Sequence, residues 1–175
     1  MRVFVTGFGP FGDIGDNPSA VLARGCGRPH RVLRVAYAAV EEALADLQSE
    51  PFDALLMIGV AAGAERMRLE SVAHNRIGKH ADVEGVVAGP GPIDPRAPFQ
   101  LHGGLWEPGC ELAEADPIGV TTDAGDYLCN YLYFRAIQAF PERRIGFLHV
   151  PTFETLPEAT QSEVLSRVLR VLEAA

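Results

Sequence analysis

The sequence lacks the cysteine pairs from which zinc sites and disulfide frameworks are built. Its three cysteines are Cys26, Cys110 and Cys129. They are odd in number and widely spaced, with no Cys-x-x-Cys pair and no histidine at ligand spacing from any of them. We therefore expect no metal site and a reducing, cytoplasmic location.

Positive charge and long apolar runs are also scarce. The 15 lysines and arginines face 23 aspartates and glutamates, which gives a formal net charge of -8. Such a chain repels phosphate backbones and anionic lipid, so nucleic acid is excluded as a partner. The longest apolar run, Ala54 to Ala64, is shorter than the roughly twenty residues of a membrane span, and the first residues predict a strand rather than a signal peptide. We expect a soluble protein without a membrane partner.

What the sequence does contain is a regular alternation of strands and helices. With 175 residues, 47% of them hydrophobic, the chain can bury one substantial core, and we expect a single domain over residues 1–175. Apolar spacing predicts strands at residues 2–6, 31–37, 54–59, 66–73, 118–122 and 144–149. It predicts helices at residues 19–24, 40–48, 127–140 and 157–172. This order is typical of an α/β sandwich around a mostly parallel sheet.

The stretch from Gly85 to Pro108 interrupts this alternation. It is rich in glycine and proline and shows no periodicity. We predict a long loop within the domain, of the kind that often forms a lid over a functional site.

A glycine-rich segment follows the first predicted strand. Gly7 to Gly12 matches the G-x-G-x-x-G dinucleotide pattern, but the next helix is predicted to start only at Asn17, as its cap, with Pro18 in its first position. The acidic residue expected at the end of the second strand is also missing. The pattern is therefore not interpreted as a cofactor site. Phe8 and Phe11 in this segment form either a clamp for a small flat ligand or part of the core.

One cysteine lies where a thiol is easily activated. A strand ending at Thr122, a turn, and a helix beginning after Asp126 place Cys129 in the first helical turn, with Asp126 as the predicted cap. Free N–H groups and the helix dipole favour a thiolate there. His149 ends a short apolar run one strand later, and the pair meets the minimum for thiol catalysis. Taken singly, each residue is equally consistent with a packed core position.

Four segments form a pattern that extends over nearly the whole chain. They are residues 6–12 (TGFGPFG) with residues 17–19 (NPS), residues 69–75 (LESVAHN), residues 124–130 (AGDYLCN) and residues 147–151 (FLHVP). Together they resemble the pyroglutamyl peptidase I, or pyrrolidone carboxyl peptidase, family of cysteine exopeptidases. The resemblance implies a three-layer α/β/α sandwich around a mostly parallel mixed sheet, similar to the phosphorylase/hydrolase-like folds.

The resemblance also implies a catalytic triad. Cys129 would be the nucleophile, His149 the general base and acid, and Glu70 the carboxylate that orients the imidazole. Strand alternation places Glu70 on the polar face of its strand. Without the resemblance, an ordinary surface ion pair with Arg68 would explain Glu70 equally well.

The substrate is likewise implied by the resemblance. Phe8 and Phe11 would sandwich the pyrrolidone ring, Asn17 would help to hold the N-terminal loop and the ligand in place, and Tyr127 would line the pocket. A pyroglutamyl residue has no ammonium group to desolvate, which suits an aromatic pocket. The expected partners are N-terminally pyroglutamylated peptides or related small amides, with no metal or organic cofactor, and the resemblance allows a homo-oligomer.

Three stretches depart from the family pattern. Residues 59–66 (GVAAGAER) and residues 76–82 (RIGKHAD) differ from the family's usual segments, and the region from Gly89 to Glu111 is shortened and rewritten. The shortened region is one that normally shapes the substrate cleft. Two alternatives therefore stay open: a cysteine hydrolase of another small acyl amide, and a catalytically inactive α/β binding module.

Overall fold

The computed structural model describes residues 1–12, 15–106 and 117–174. The strands are β1 (Val3–Phe8), β2 (His30–Leu33), β3 (Ala54–Val60), β4 (Met67–Glu70), β5 (Ala73–His74), β6 (Gln100–Leu101), β7 (Ile118–Thr121) and β8 (Arg144–Val150). The helices are α1 (Pro18–Gly25), α2 (Tyr37–Leu47), α3 (Leu128–Ala139) and α4 (Glu158–Ala174). Within these ranges no helix is long and apolar enough to cross a membrane.

Six strands form the central sheet in the order β2-β1-β3-β8-β4-β7. Neighbouring strands run parallel except β4 and β8, which are antiparallel. In this antiparallel pair Arg68 is the register partner of His149 and Glu70 is that of Phe147, so Glu70 lies two register positions from His149. The predicted sandwich around a mostly parallel mixed sheet is confirmed.

The sheet is covered by helices on both faces. One apolar cluster packs α2 and α3 against one face, and a second packs α1 and α4 against the other. Alternate residues of the buried strands contribute to the two clusters, so Phe147 joins the first and Leu148 the second. The result is a three-layer structure with two cores.

The start of α1 follows the prediction. Asn17 is the N-cap, its side chain accepts a hydrogen bond from the Ser19 N–H at 3.0 Å, and Pro18 opens the helix. A Cβ on Gly7 would collide with the Ser19 carbonyl. The first glycine of the G-x-G-x-x-G pattern therefore allows close packing of β1 against α1.

Two predicted strands have different limits in the structure. The strand predicted at residues 31–37 ends at Leu33, and Tyr37 instead begins α2, where its N–H donates to the Asp82 carboxylate at 3.0 Å. The strand predicted at residues 66–73 divides into β4 and β5, and β5 pairs with β6 in a separate two-stranded sheet. The predicted loop at residues 85–108 therefore contains a short strand, and its last two residues lie outside the described ranges.

Candidate active site

Cys129 is the second residue of α3, as predicted, but the cap of this helix is different. Tyr127 is the N-cap, and among the described residues no side chain caps it. The prediction of Asp126 as the cap is wrong. The carboxylate of Asp126 lies against Gly78, where an added Cβ would come within 2.5 Å of it, and the Asp126 carbonyl accepts the Gly78 N–H at 2.6 Å.

Glu70 and His149 meet on the face of the sheet that α3 covers. His149 Nδ1 lies 2.7 Å from Glu70 Oε1, within hydrogen-bond distance. The other carboxylate oxygen, Oε2, accepts a hydrogen bond of 2.6 Å from the hydroxyl of Thr121, which is the partner of Glu70 in the parallel β4–β7 pair. Strand register therefore fixes both oxygens of Glu70.

Glu70 is buried, so its ion pair with Arg68, whose Nε lies 3.6 Å from Glu70 Oε1, is not the ordinary surface pair considered above. Its side chain is 0% exposed, and its carbonyl accepts a hydrogen bond from the Tyr133 hydroxyl at 3.0 Å. A buried carboxylate is costly unless hydrogen bonds or opposite charge compensate it. The His149 ring and the Thr121 hydroxyl provide that compensation here.

The environment of His149 favours its protonated form. Burial alone would lower the pKa of His149. The charge of Cys129, a side-chain hydrogen bond with Cys129, and the hydrogen bond and charge of Glu70 outweigh burial and raise this pKa to about 9. The ring is held between the Glu70 carboxylate and the Cys129 sulfur, and both contacts favour its charged form.

Gly59 makes room for the cysteine sulfur. It is the register partner of His149 in the parallel β3–β8 pair. A Cβ added to Gly59 would lie 2.6 Å from Cys129 Sγ and 2.8 Å from the Phe147 ring. Only glycine at this position lets the α3 thiol approach the sheet next to the imidazole.

A cavity of about 450 Å³ opens over Cys129 and His149. Its walls include residues 124–126, which precede α3, and Phe11, His80, Ala81 and Tyr127. This volume is within the range of pockets that hold small molecules. The catalytic candidates thus border a site of suitable size for a small acyl group.

The four residues that were predicted to bind the substrate occupy different environments in the structure. Phe11 and Tyr127 line the cavity. Phe8 is the last residue of β1, is 4% exposed and belongs to the apolar cluster under α2 and α3, so the structure places it in the core rather than in the ligand clamp that the resemblance implies. Asn17 is buried, and its amide donates to the Gly9 carbonyl at 2.9 Å, which ties the loop carrying Phe11 to the start of α1.

One wall of the cavity is held by hydrogen bonds that the sequence did not predict. The buried Asn130 of α3 accepts the His74 N–H at 2.8 Å and donates to the carbonyls of His74 and Arg76. The Tyr127 hydroxyl donates to the Ala81 carbonyl at 3.0 Å. These bonds attach residues 74–81 to the start of α3. Their only signal in the sequence was Asn130, a polar residue on an otherwise apolar helix face.

Comparison with known proteins agrees with this arrangement. The sequence profile of the pyroglutamyl peptidase family matches residues 1–166. Pyrrolidone-carboxylate peptidase 1 of Caldanaerobacter subterraneus subsp. tengcongensis is 30% identical over 202 aligned residues, which cover 100% of this chain and 96% of that protein. The chain is thus similar to a peptidase along its whole length.

Solved structures give the same result. Pyrrolidone carboxyl peptidase from Thermus thermophilus superposes with a TM-score of 0.81 at 34% identity, covering 98% of each chain. The enzyme from Thermococcus litoralis, at 22% identity, shares the fold with a TM-score of 0.88 over 99% of this chain and 93% of that one. Fold and site together define a cysteine peptidase of the α/β class. The chain belongs to the pyroglutamyl peptidase family.

Proposed function

We propose that this protein is a cysteine exopeptidase that removes an N-terminal pyroglutamyl residue from peptides, with Cys129 as nucleophile, His149 as acid and base, and Glu70 as the group that orients His149. The observation that carries the proposal is the hydrogen bond between Glu70 and His149 beside the Cys129 thiol, since His149 and Cys129 both line one cavity. Membership of the family supports the same reaction.

The first half of the reaction forms an acyl-enzyme. The Cys129 thiolate attacks the pyroglutamyl carbonyl, and free N–H groups at the uncapped start of α3 receive the developing oxyanion. Glu70 occupies Nδ1 of His149, which leaves Nε2 to donate its proton to the departing amine. The C–N bond breaks, the shortened peptide leaves, and a thioester and a neutral imidazole remain.

The second half reverses these roles. Neutral His149 takes a proton from water, and the resulting hydroxide adds to the thioester carbonyl. The C–S bond then breaks, free pyroglutamate leaves, and the thiolate and imidazolium are restored. The Glu70 contact stabilises the imidazolium, which gives up its proton in the first half and is formed again in the second.

Substrate recognition is assigned to the cavity wall. Phe11 and Tyr127 offer ring surfaces to a flat, uncharged pyrrolidone, and Asn17 fixes the loop that carries Phe11. An ordinary N-terminus would have to bury an ammonium in the same space. A second candidate function, hydrolysis of another small acyl amide, is favoured by two observations: the Phe8 ring lies in the core, and Asp126 borders the cavity.

Fluorogenic amides of pyroglutamate and of alanine test these proposals. We expect turnover of the pyroglutamyl amide by the unmodified chain, loss of at least a thousandfold in Cys129→Ser, and no loss in Cys26→Ser, which changes the other described free cysteine. Preferred turnover of the alanyl amide would support the second candidate. Equal activity of Cys129→Ser and unmodified protein would overturn both.

A further inference from the structure

Arg68 lies next to the proposed triad and has no part in the mechanism above. It is the Cα partner of His149 in the antiparallel β4–β8 pair, and Glu70 follows two residues later on the same strand. Directly paired residues and residues two apart on a strand share one face of a sheet. Arg68, Glu70 and His149 therefore all lie on the face that α3 covers.

Arg68 contacts Glu70 through opposite charge and not through a hydrogen bond. Arg68 Nε is 3.6 Å from Glu70 Oε1, the same oxygen that His149 Nδ1 contacts. This Nε is buried and makes no hydrogen bond with any described residue. The Arg68 side chain is 32% exposed, so solvent screens its charge only in part.

The groups around the Arg68–Glu70 contact carry a net negative charge when Arg68 is left out. The Thr121 hydroxyl contacts the Glu70 carboxylate from β7, and His149 contacts it from β8. From α3, the Tyr133 hydroxyl donates to the Glu70 carbonyl, and Cys129 interacts with His149. In the reactive form the thiolate and Glu70 are negative and the imidazolium is positive, which leaves one net negative charge. The guanidinium of Arg68 neutralises it.

We propose that Arg68 is a positioning residue that offsets the charge of Glu70 and so limits how tightly His149 holds its proton. A carboxylate without a counter-charge binds the neighbouring imidazolium more strongly in a buried site. His149 then releases its proton less readily to the departing amine. The role in turnover rests on the proposed function, because it acts in the step in which His149 is the acid.

The test is the titration of the His149 ring, followed by NMR in the unmodified protein and in Arg68→Met, with His149→Gln used to assign the signal. We expect the titration midpoint of His149 to rise by about half a pH unit in Arg68→Met, which is the effect expected when one partly exposed charge next to Glu70 is removed. Arg68→Lys, which keeps the charge, restores the midpoint. On the pyroglutamyl amide, Arg68→Met lowers kcat about threefold and leaves KM unchanged.

Arg2→Met is the matched control, because it also removes one arginine charge, from an exposed ion pair with Asp53 at the amino end of the sheet. It leaves the midpoint and kcat unchanged. An unchanged His149 midpoint in Arg68→Met, or a shift that Arg68→Lys does not reverse, overturns the inference while leaving the proposed function standing. Absence of turnover by the unmodified chain overturns the proposed function, and with it any role of Arg68 in turnover.

Discussion

The two free cysteines of the described ranges lie at opposite ends of their helices. Cys26 follows α1, and its sulfur donates to the Ala23 carbonyl at 2.9 Å. Cys129 lies in the first turn of α3 beside His149. Both are half-buried. Burial raises the pKa of Cys26, the carbonyl end of its helix disfavours a thiolate, and its contacts hold the thiol as a weak donor.

Exposure therefore does not distinguish the two thiols. Two features distinguish Cys129: its place in the first turn of a helix and its contact with His149. Both depend on where α3 meets the sheet, since Gly59 leaves room for the sulfur and Glu70 holds His149 in place. Each variant below removes one of these contributions and leaves Cys26 as an internal reference.

Removal of the imidazole has the largest expected effect. In the unmodified protein we expect iodoacetamide at neutral pH to alkylate Cys129 at least ten times faster than Cys26, as followed by peptide mass spectrometry. In His149→Gln the rate at Cys129 falls to about that of Cys26, and turnover falls by about a thousandfold. Cys110 lies outside the described residues, and its labelling is recorded in the same spectra.

Equal labelling of Cys26 and Cys129 in the unmodified protein would contradict this comparison. It would show that the helix start and His149 do not activate the thiol. A rate at Cys129 that stays high in His149→Gln would assign the activation to the helix start alone.

Local sequence features predicted most of the fold. Asn17 and Pro18 mark the start of α1, and the apolar runs of β3 and β8 mark the central strands, because caps and buried strands have strong local signals. The pair β5 and β6 has no such signal. Its two-residue strands lie 25 residues apart and are set by tertiary contacts.

The site shows the same division between local and tertiary information. Spacing placed Cys129 in a first helical turn and singled out His149 at the end of a strand. The family resemblance added Glu70, which the structure brings within 2.7 Å of His149. Spacing could not predict that Phe8 points into the core, because the end of β1 is covered by α2 and α3. It also assigned Asp126 a capping role, which a tertiary contact with Gly78 prevents.

Gly59→Ala tests the fit of the Cys129 sulfur, with a smaller expected effect than loss of His149. The new methyl group would overlap Sγ at 2.6 Å and the Phe147 ring, so the thiol must shift away from the imidazole. A displacement of about 1 Å lowers turnover by up to about a hundredfold. Alkylation of Cys129 slows as well, while alkylation of Cys26 does not change.

Gly63→Ala is the matched control, because nothing lies within 4 Å of a Cβ added there. We expect it to retain full turnover. Full turnover in Gly59→Ala would show that the sulfur and the imidazole do not depend on the close packing of α3 against β3.

Thr121→Val has the smallest expected effect and tests the support of Glu70 without touching Cys129 or His149. Valine has the shape of threonine but cannot donate to Glu70 Oε2, which loses its hydrogen bond of 2.6 Å and stays buried. We expect turnover to fall about threefold and the free energy of unfolding to fall by about 1–2 kcal/mol. Thr121→Ser, which keeps the hydroxyl, restores most of both, and Thr122→Val, at the next and exposed position, changes neither. A thousandfold loss in Thr121→Val would mean that the hydroxyl takes part in the reaction itself, because the orientation of Glu70 also depends on its contact with His149 and on its place in β4.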